Sequence, residues 1–380
     1  MYNNFLKPSD NGRAWVEIDM TALVHNIAVL RSSLPVGCEL MAVVKTDAYG
    51  HGAVKVALRA QQEGVKSFAV ATVGEGVQLR ECGVDGDILV LGYTHPSDTN
   101  FLSAFWLTQL VFDSAYAKAL DEAGHIIRVH IAVDTGMHRL GVESSNLEEF
   151  EEIYACENLK IEGVATHFAS ADSLEVDDMD FTSLQMTRFS ETISMLKRKG
   201  YTIGKLHAQS SYGIINYPVI AYDSARAGIM LYGVMSHNES TLRTLNLRPM
   251  LAFRALVAQV RRIRAGESVS YGRAFTAEKP MLLATICAGY GDGVPRQMSG
   301  NGGCCIVRGH KVPIVGRICM DMLMVDVTGI DDVRQGDIVT ILGKDGSEEI
   351  RCEDVAAASG TISNDILCRI GWRLPKVYIG

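Results

Sequence analysis

Short apolar runs alternate with helical patterns along the first two-thirds of the chain. MAVVK (41–45), SFAVAT (67–72), DILVLGY (87–93), LTQLVFD (107–113) and RVHIAVD (128–134) read as buried strands. IEGVATHF (161–168), KLHAQSS (205–211) and a short SARAG (224–228) extend the series. Between them, HGAVKVALRAQQEG, LEEFEEIYACE and SLQMTRFSETISMLKRKG carry helical periodicity. Such alternation makes βαβ units and a parallel sheet. Eight units close a TIM-type (β/α)8 barrel, whose usual length of roughly 250 residues suits this stretch. A doubly wound open sheet is the alternative, weakened because no G-x-G-x-x-G follows a strand.

Beyond about residue 245 the pattern changes. FRALVAQVRRI, PMLLATICAGY, CCIVRGHKVPIVGRI, MLMVDV and GDIVTILG are β-rich and punctuated by Gly and Pro, with little helical periodicity before EDVAAASG. This predicts a second, mainly antiparallel β domain. The expected division is a barrel over 12–244 and a C-terminal β domain over 245–380, with residues 1–11 packing against the latter.

Composition narrows the partners. The net charge is −8 and no Lys/Arg-rich run occurs, which argues against a nucleic-acid surface but leaves room for a local anion site. The nine cysteines are odd in number and form no C-x-x-C pair, so neither a disulfide framework nor a metal site is expected, and a reducing, cytoplasmic compartment fits. No apolar run is long enough to span a bilayer and no signal peptide is visible, so no membrane contact is expected from this chain itself.

Lys45 ends the first strand, where a barrel places its active site. Desolvation there would lower its pKa and make it a better nucleophile and base, as Schiff-base chemistry needs. On position alone, a lysine reaching out to water is an equally good reading. Tyr49-Gly50-His51-Gly52, just ahead of a helix, adds a plausible phosphate-binding turn.

AVVKTDAYGHG (42–52) resembles the cofactor-lysine signature of bacterial alanine racemases, pyridoxal 5'-phosphate (PLP) enzymes built from a barrel and a β domain. The resemblance runs from WVEIDMTALVHNI (15–27) to the end of the chain. It implies that Lys45 holds PLP as a Schiff base and acts as one catalytic base, and that Tyr49 contacts the phosphate. VDTGMHRLG (133–141) places Arg139 against the cofactor's phenolic oxygen and the substrate carboxylate, a role suited to a fork of donors. Many family members carry a lysine, often carbamylated, where this chain has Ala132, so an anion such as chloride or another side chain must orient Arg139, or Arg139 is held more loosely.

In THFASAD (166–172), His167 is implied as a hydrogen-bond partner of the catalytic tyrosine. HAQSS (207–211) and ARAGIMLYG (225–233) follow strands seven and eight, where barrels often bind phosphate, and imply Ser211, Gly228 and Ile229 as its cradle. Arg226 is implied against the pyridine nitrogen of PLP. Arginine keeps its proton, so the ring stays a weak electron sink and side reactions such as transamination are disfavoured.

Racemisation needs acid–base groups on both faces of the α-carbon. SVSYGRAF (268–275) makes Tyr271 the second base by resemblance. A tyrosine pKa near 10 is too high for that work at neutral pH, and His167 bonded to Arg226 would supply help. In the family this tyrosine reaches the lysine site of the other subunit, which implies a head-to-tail homodimer. AGYGDGVPR (288–296) and GRICMDMLMVDV (316–327) imply Tyr290, Met320 (through its N–H) and Asp321 at the substrate entrance and carboxylate site, with Arg296 and Arg317 along the corridor.

GTISNDIL (360–367) has Asn364 where alanine racemases normally have a tyrosine beside the phosphate and the substrate side chain. A smaller side chain with a donor and an acceptor suits a hydroxymethyl group. This resembles the serine/alanine racemases of vancomycin-resistance clusters, in which a membrane-embedded part precedes a cytoplasmic racemase domain. The expected function is interconversion of L- and D-serine and alanine for peptidoglycan precursors. The rivals are a plain alanine racemase, a PLP-dependent decarboxylase of basic amino acids, and a non-catalytic PLP carrier.

Overall fold

The computed structural model describes residues 12–371 and 373–380. The expected packing of residues 1–11 lies outside the described residues. Eight parallel strands, Glu39–Val43, Ser67–Val70, Asp87–Val90, Thr108–Val111, Ile127–Asp134, Leu159–Ala165, Lys205–His207 and Ser224–Ala227, pair in chain order. The last returns to the first, with Arg226 opposite Met41, and closes a (β/α)8 barrel. Most strand residues are buried on both faces, which is why they read as unbroken apolar runs. All eight strands lie within the expected segments or within two residues of them. The helix expected from Ser183 starts at Val176, where Asp177 and Asp178 suit the positive end of a helix dipole.

The second sheet is mainly antiparallel and turns on the 13-residue strand Leu251–Ile263. This strand pairs with Ala14–Asp19, Met281–Ile286 and Ile338–Asp345. Its register shifts near Phe253 and Val257, so it bends and serves several partners.

One boundary needs correction. Residues 14–19, expected to open the barrel, belong to the second sheet, between Leu251–Ile263 and Lys376–Ile379. Asp19 then caps the barrel helix Met20–Ser33, its carboxylate accepting the N–H groups of Thr21 (2.8 Å) and Ala22 (3.1 Å). Strand abuts helix with no Gly or Pro between them, and both partner strands lie more than two hundred residues away. Local pattern carries no trace of such pairing. The second sheet is thus joined to the barrel at both of the barrel's ends, by Ala14–Asp19 before it and Leu251–Ile263 after it.

Candidate active site

Lys45 follows the first barrel strand and opens an unusual turn. Thr46, Asp47, Ala48 and Tyr49 all have φ between 51° and 55°, the left-handed helical region. That conformation costs L-residues roughly 1–2 kcal/mol each, so the surroundings must hold it. Asp47 accepts from Ala53 N–H and from Lys376 Nζ, both at 2.8 Å. Glu75 accepts Thr46 N–H at 2.6 Å. The buried His51 ring bonds the carbonyls of Ala48 and Tyr49 at 3.0 Å and stacks on Tyr232. Gly52 is obligatory, since a Cβ there would lie 1.9 Å from Tyr378 Oη. The turn aims Lys45 and Tyr49 into a cavity of about 500 Å³ at the C-terminal mouth of the barrel.

Burial, then the charge of Arg139, holds the Lys45 amine below its ordinary pKa. Across the cavity, Ser211 Oγ accepts the N–H groups of Gly228 (3.0 Å) and Met230 (3.4 Å). Its lone pairs are then committed and its own proton is left to donate. A Cβ on Gly228 would come 2.7 Å from Tyr49 Oη, so only glycine lets that hydroxyl approach the turn. Ile229 lies beside Gly228 in the same wall.

Arg226 is buried at the cavity's far side. Its Nη1 donates to His207 Nδ1 (2.6 Å) and His207 O, and its Nη2 to His167 Nδ1 (3.0 Å), Thr166 O and Ala208 O. Nε makes no hydrogen bond among the described residues and is the donor left for a ligand. A guanidinium only donates, so both histidines accept at Nδ1 and carry their protons on Nε2. His207 Nε2 donates in turn to His130 Nδ1 at 2.8 Å. Burial drives all three rings toward neutrality, His130 down to about 4 and His167 to about 3. Burial and Arg139 also lower Arg226 to about 10, still a cation at neutral pH. The sequence reading assigned nothing to His207 or His130. Both were visible as polar residues inside apolar strand runs, in KLH and RVHIAVD.

Arg139 and Asn364 also line the cavity, and Ala132 forms part of its wall. Arg139 has no hydrogen-bond partner among the described residues. Lys45, Arg139, Tyr49, Ser211 and Arg226 Nε therefore present donors and positive charge not spent on the protein. That donor set could hold PLP: Tyr49, Ser211 and Gly228–Ile229 would take the phosphate, Arg226 the pyridine nitrogen, Arg139 the phenolic oxygen and Lys45 the carbonyl carbon.

The remaining expected residues lie elsewhere. Tyr271, Tyr290, Met320 and Asp321 do not line this cavity. They gather with Arg317 on the second domain: Ser270 Oγ donates to Arg317 O at 2.6 Å, and Tyr290 N–H to Cys319 O at 3.0 Å. Tyr271 is 70% exposed and Met320 53%. Met320 N–H has no partner among the described residues. Asp321 pairs with Arg373 at 2.7 Å. Beneath them the fully buried Asp292 accepts from Arg13 (2.9 Å), Arg373 (2.8 Å) and Gly289 N–H (3.0 Å), a support the sequence reading missed. Arg296 is exposed on the same domain.

The chain matches family models for the alanine racemase N-terminal domain over residues 18–236 and C-terminal domain over 250–378. It is 41% identical to an amino-acid racemase of Enterococcus faecalis, over 96% of this chain and 52% of that protein, and so spans about half that relative's length. It is 39% identical to the alanine racemase of Carboxydothermus hydrogenoformans, over 96% of this chain and 99% of the relative. The crystal structure of alanine racemase from Bacillus anthracis with bound L-Ala-P superposes with a TM-score of 0.90 at 33% identity, covering 97% and 95% of the two chains. A histidine racemase from Leuconostoc mesenteroides superposes at 0.86 and 28% identity, covering 99% and 100%. From its sequence models, its relatives and its fold, the chain belongs to the alanine racemase family, whose members depend on PLP.

Proposed function

We propose that the chain is an amino-acid racemase that interconverts L- and D-serine as well as L- and D-alanine, with two bases drawn from two subunits. The observation that carries this reading is the separation of its halves. Lys45 sits in a cavity rich in unspent donors, while Tyr271 stands exposed on the second domain. A head-to-tail dimer would bring Tyr271 of one copy to the Lys45 cavity of the other.

Bound PLP acidifies the α-hydrogen of an attached amino acid by delocalising the electron pair left behind. The residues supply the rest. The depressed amine of Lys45 takes or returns the proton on one face. Tyr271 does so on the opposite face, and each enantiomer uses the two groups in opposite order. His167, neutral and with its Nε2 proton free, offers a hydrogen bond to the Tyr271 oxygen when that group is deprotonated. Arg226, still protonated, donates through Nε and withholds a full proton from the ring, which favours prompt reprotonation. Arg139 and the unpaired Met320 N–H receive the substrate carboxylate. Tyr290 and Asp321 flank the entrance, with Arg296 and Arg317 outside it. With Ala132 in place of the family's lysine, an anion such as chloride or another side chain would orient Arg139, or Arg139 is held more loosely.

Asn364 supports serine as a substrate, because it gives the pocket a polar amide where a tyrosine would be larger and less adaptable. The D-amino acid made would enter peptidoglycan precursors in the cytoplasm, including those altered in vancomycin resistance. No described helix is long and apolar enough to cross a membrane. The test is chiral analysis of L-serine and L-alanine incubated with purified protein and with Asn364→Tyr. Racemisation of both, with a serine preference that falls in the variant, supports the reading. An unchanged preference refutes the pocket argument. Carbon dioxide release from ornithine or arginine would replace the function by decarboxylation, and no turnover with full PLP binding would leave a carrier.

A further inference from the structure

Asn364 acts only as well as its amide is oriented, and one neighbour fixes that orientation. Ser236 and Asn364 both line the Lys45 cavity, at the ends of segments far apart in sequence. Ser236 Oγ donates to Asn364 Oδ1 at 2.7 Å. An asparagine amide has one acceptor end and one donor end, 180° apart about the terminal torsion. With Oδ1 held by Ser236, the Nδ2 donors are turned away from that residue.

The hydroxyl itself sits on a tightly fixed backbone. Met235 N–H donates to Glu353 Oε1 at 2.8 Å and Ser236 N–H to Tyr212 Oη at 3.0 Å. Ser236 O accepts Ser363 N–H at 2.9 Å, which ties the loop to the residue just before Asn364. The short helix Ser363–Arg369 is braced in turn by Asp365, which accepts from Thr361 Oγ1 and Arg369 Nε at 2.8 Å. Five bonds thus support the Ser236–Asn364 pair, and the sequence motifs around Lys45 and Tyr271 do not include Ser236.

We infer that Ser236 is a specificity-determining positioning residue: it holds the Asn364 amide so that Nδ2 donates to the side-chain oxygen of a hydroxylated substrate. The inference rests on the proposed serine activity. An inverted amide would present Oδ1 instead, and the substrate hydroxyl would have to donate to it rather than accept from Nδ2. Alanine, with no side-chain oxygen, is indifferent to the choice. Ser236 is therefore worth a difference between two substrates rather than general activity.

The experiment measures kcat/KM for L-serine and L-alanine with the holoenzyme, Ser236→Ala, Ser236→Thr, Asn364→Tyr and the Ser236→Ala/Asn364→Tyr double variant. Ser236→Ala should lower the serine value about tenfold and leave alanine within about twofold, the size expected for one oriented hydrogen bond. Ser236→Thr, which keeps the hydroxyl, should restore the ratio. In the Asn364→Tyr background, Ser236→Ala should change the ratio no further. In holoenzyme labelled with 15N-asparagine and saturated with L-serine, the Asn364 side-chain amide signals should move in Ser236→Ala. Equal losses on both substrates, or an undiminished effect beside Asn364→Tyr, would overturn the inference while leaving the function intact. A wild-type enzyme inert toward serine would overturn both.

Discussion

The barrel mouth and the exposed face of the second domain carry the two halves of one proposed reaction, and they are built in opposite ways. At the mouth, polar groups are buried and locked: Arg226 spends its Nη donors on two histidines and three carbonyls, and a strained turn is braced from four sides. On the second domain, Tyr271 and Met320 stand in solvent on 3-10 turns and loops, supported from below by Asp292. A cofactor site must be preorganised before ligand arrives. A group destined for another subunit's site must instead be displayed. On the proposed reaction, the contrast is expected: one chain would hold PLP at its barrel mouth and display its second base for another copy.

The largest effects should separate the halves. Lys45→Ala and Tyr271→Ala should each cut racemisation by about a thousandfold or more, the scale of a lost acid–base group. Only Lys45→Ala should lose the cofactor that borohydride fixes to the protein; loss of that label in Tyr271→Ala would merge the two regions. Asp292→Ala strips the buried support from Arg13, Arg373 and the Gly289 N–H. It should cost about 3 kcal/mol in urea unfolding while PLP affinity stays within a few-fold. An equal fall in PLP affinity would show that the face and the mouth are not independent.

The barrel also carries a pH effect. Four rings of the barrel, His51, His130, His167 and His207, are held below the unfolded histidine value near 6.5, His51 to about 4. As pH falls, the unfolded chain takes up protons first. Their stabilisation is complete above about pH 6.5 and is lost toward pH 4, each ring contributing up to about 1.4 kcal/mol per pH unit. Urea titrations between pH 7.5 and 5 should show this decline, and a flat profile would mean the rings are not buried neutral. Smallest is Gly228→Ala: its Cβ would push on Tyr49 Oη, weakening PLP binding about tenfold with no change in fold stability.

How legible each region was follows the same contrast. The barrel strands were readable because burial on both faces writes unbroken apolar runs, as in RVHIAVD and SFAVAT. The cavity residues Lys45, Tyr49, Arg139, Ser211 and Arg226 were legible through motif resemblance at strand ends. The histidines behind Arg226 were not, because their meaning is a bond to a residue 19 or 77 positions away. The left-handed turn at 46–49 was equally hidden, since Thr, Ala and Tyr disfavour positive φ, Asp alone tolerates it, and the run is held there by Glu75 and Lys376. Strand Ala14–Asp19 was misplaced for the same reason: sheet membership is decided by partners, and its partners come from the far end of the chain.

The most direct test of two halves from two copies is to mix subunits. Lys45→Ala and Tyr271→Ala proteins, each inactive alone, are unfolded together, refolded as a mixture and assayed for racemisation. In a head-to-tail dimer each mixed pair holds one intact site, with Lys45 from one copy and Tyr271 from the other, so activity should return to about a quarter of wild type. A mixture as inactive as its parents, with mixed dimers shown to be present, would contradict the account and place both bases in a single chain.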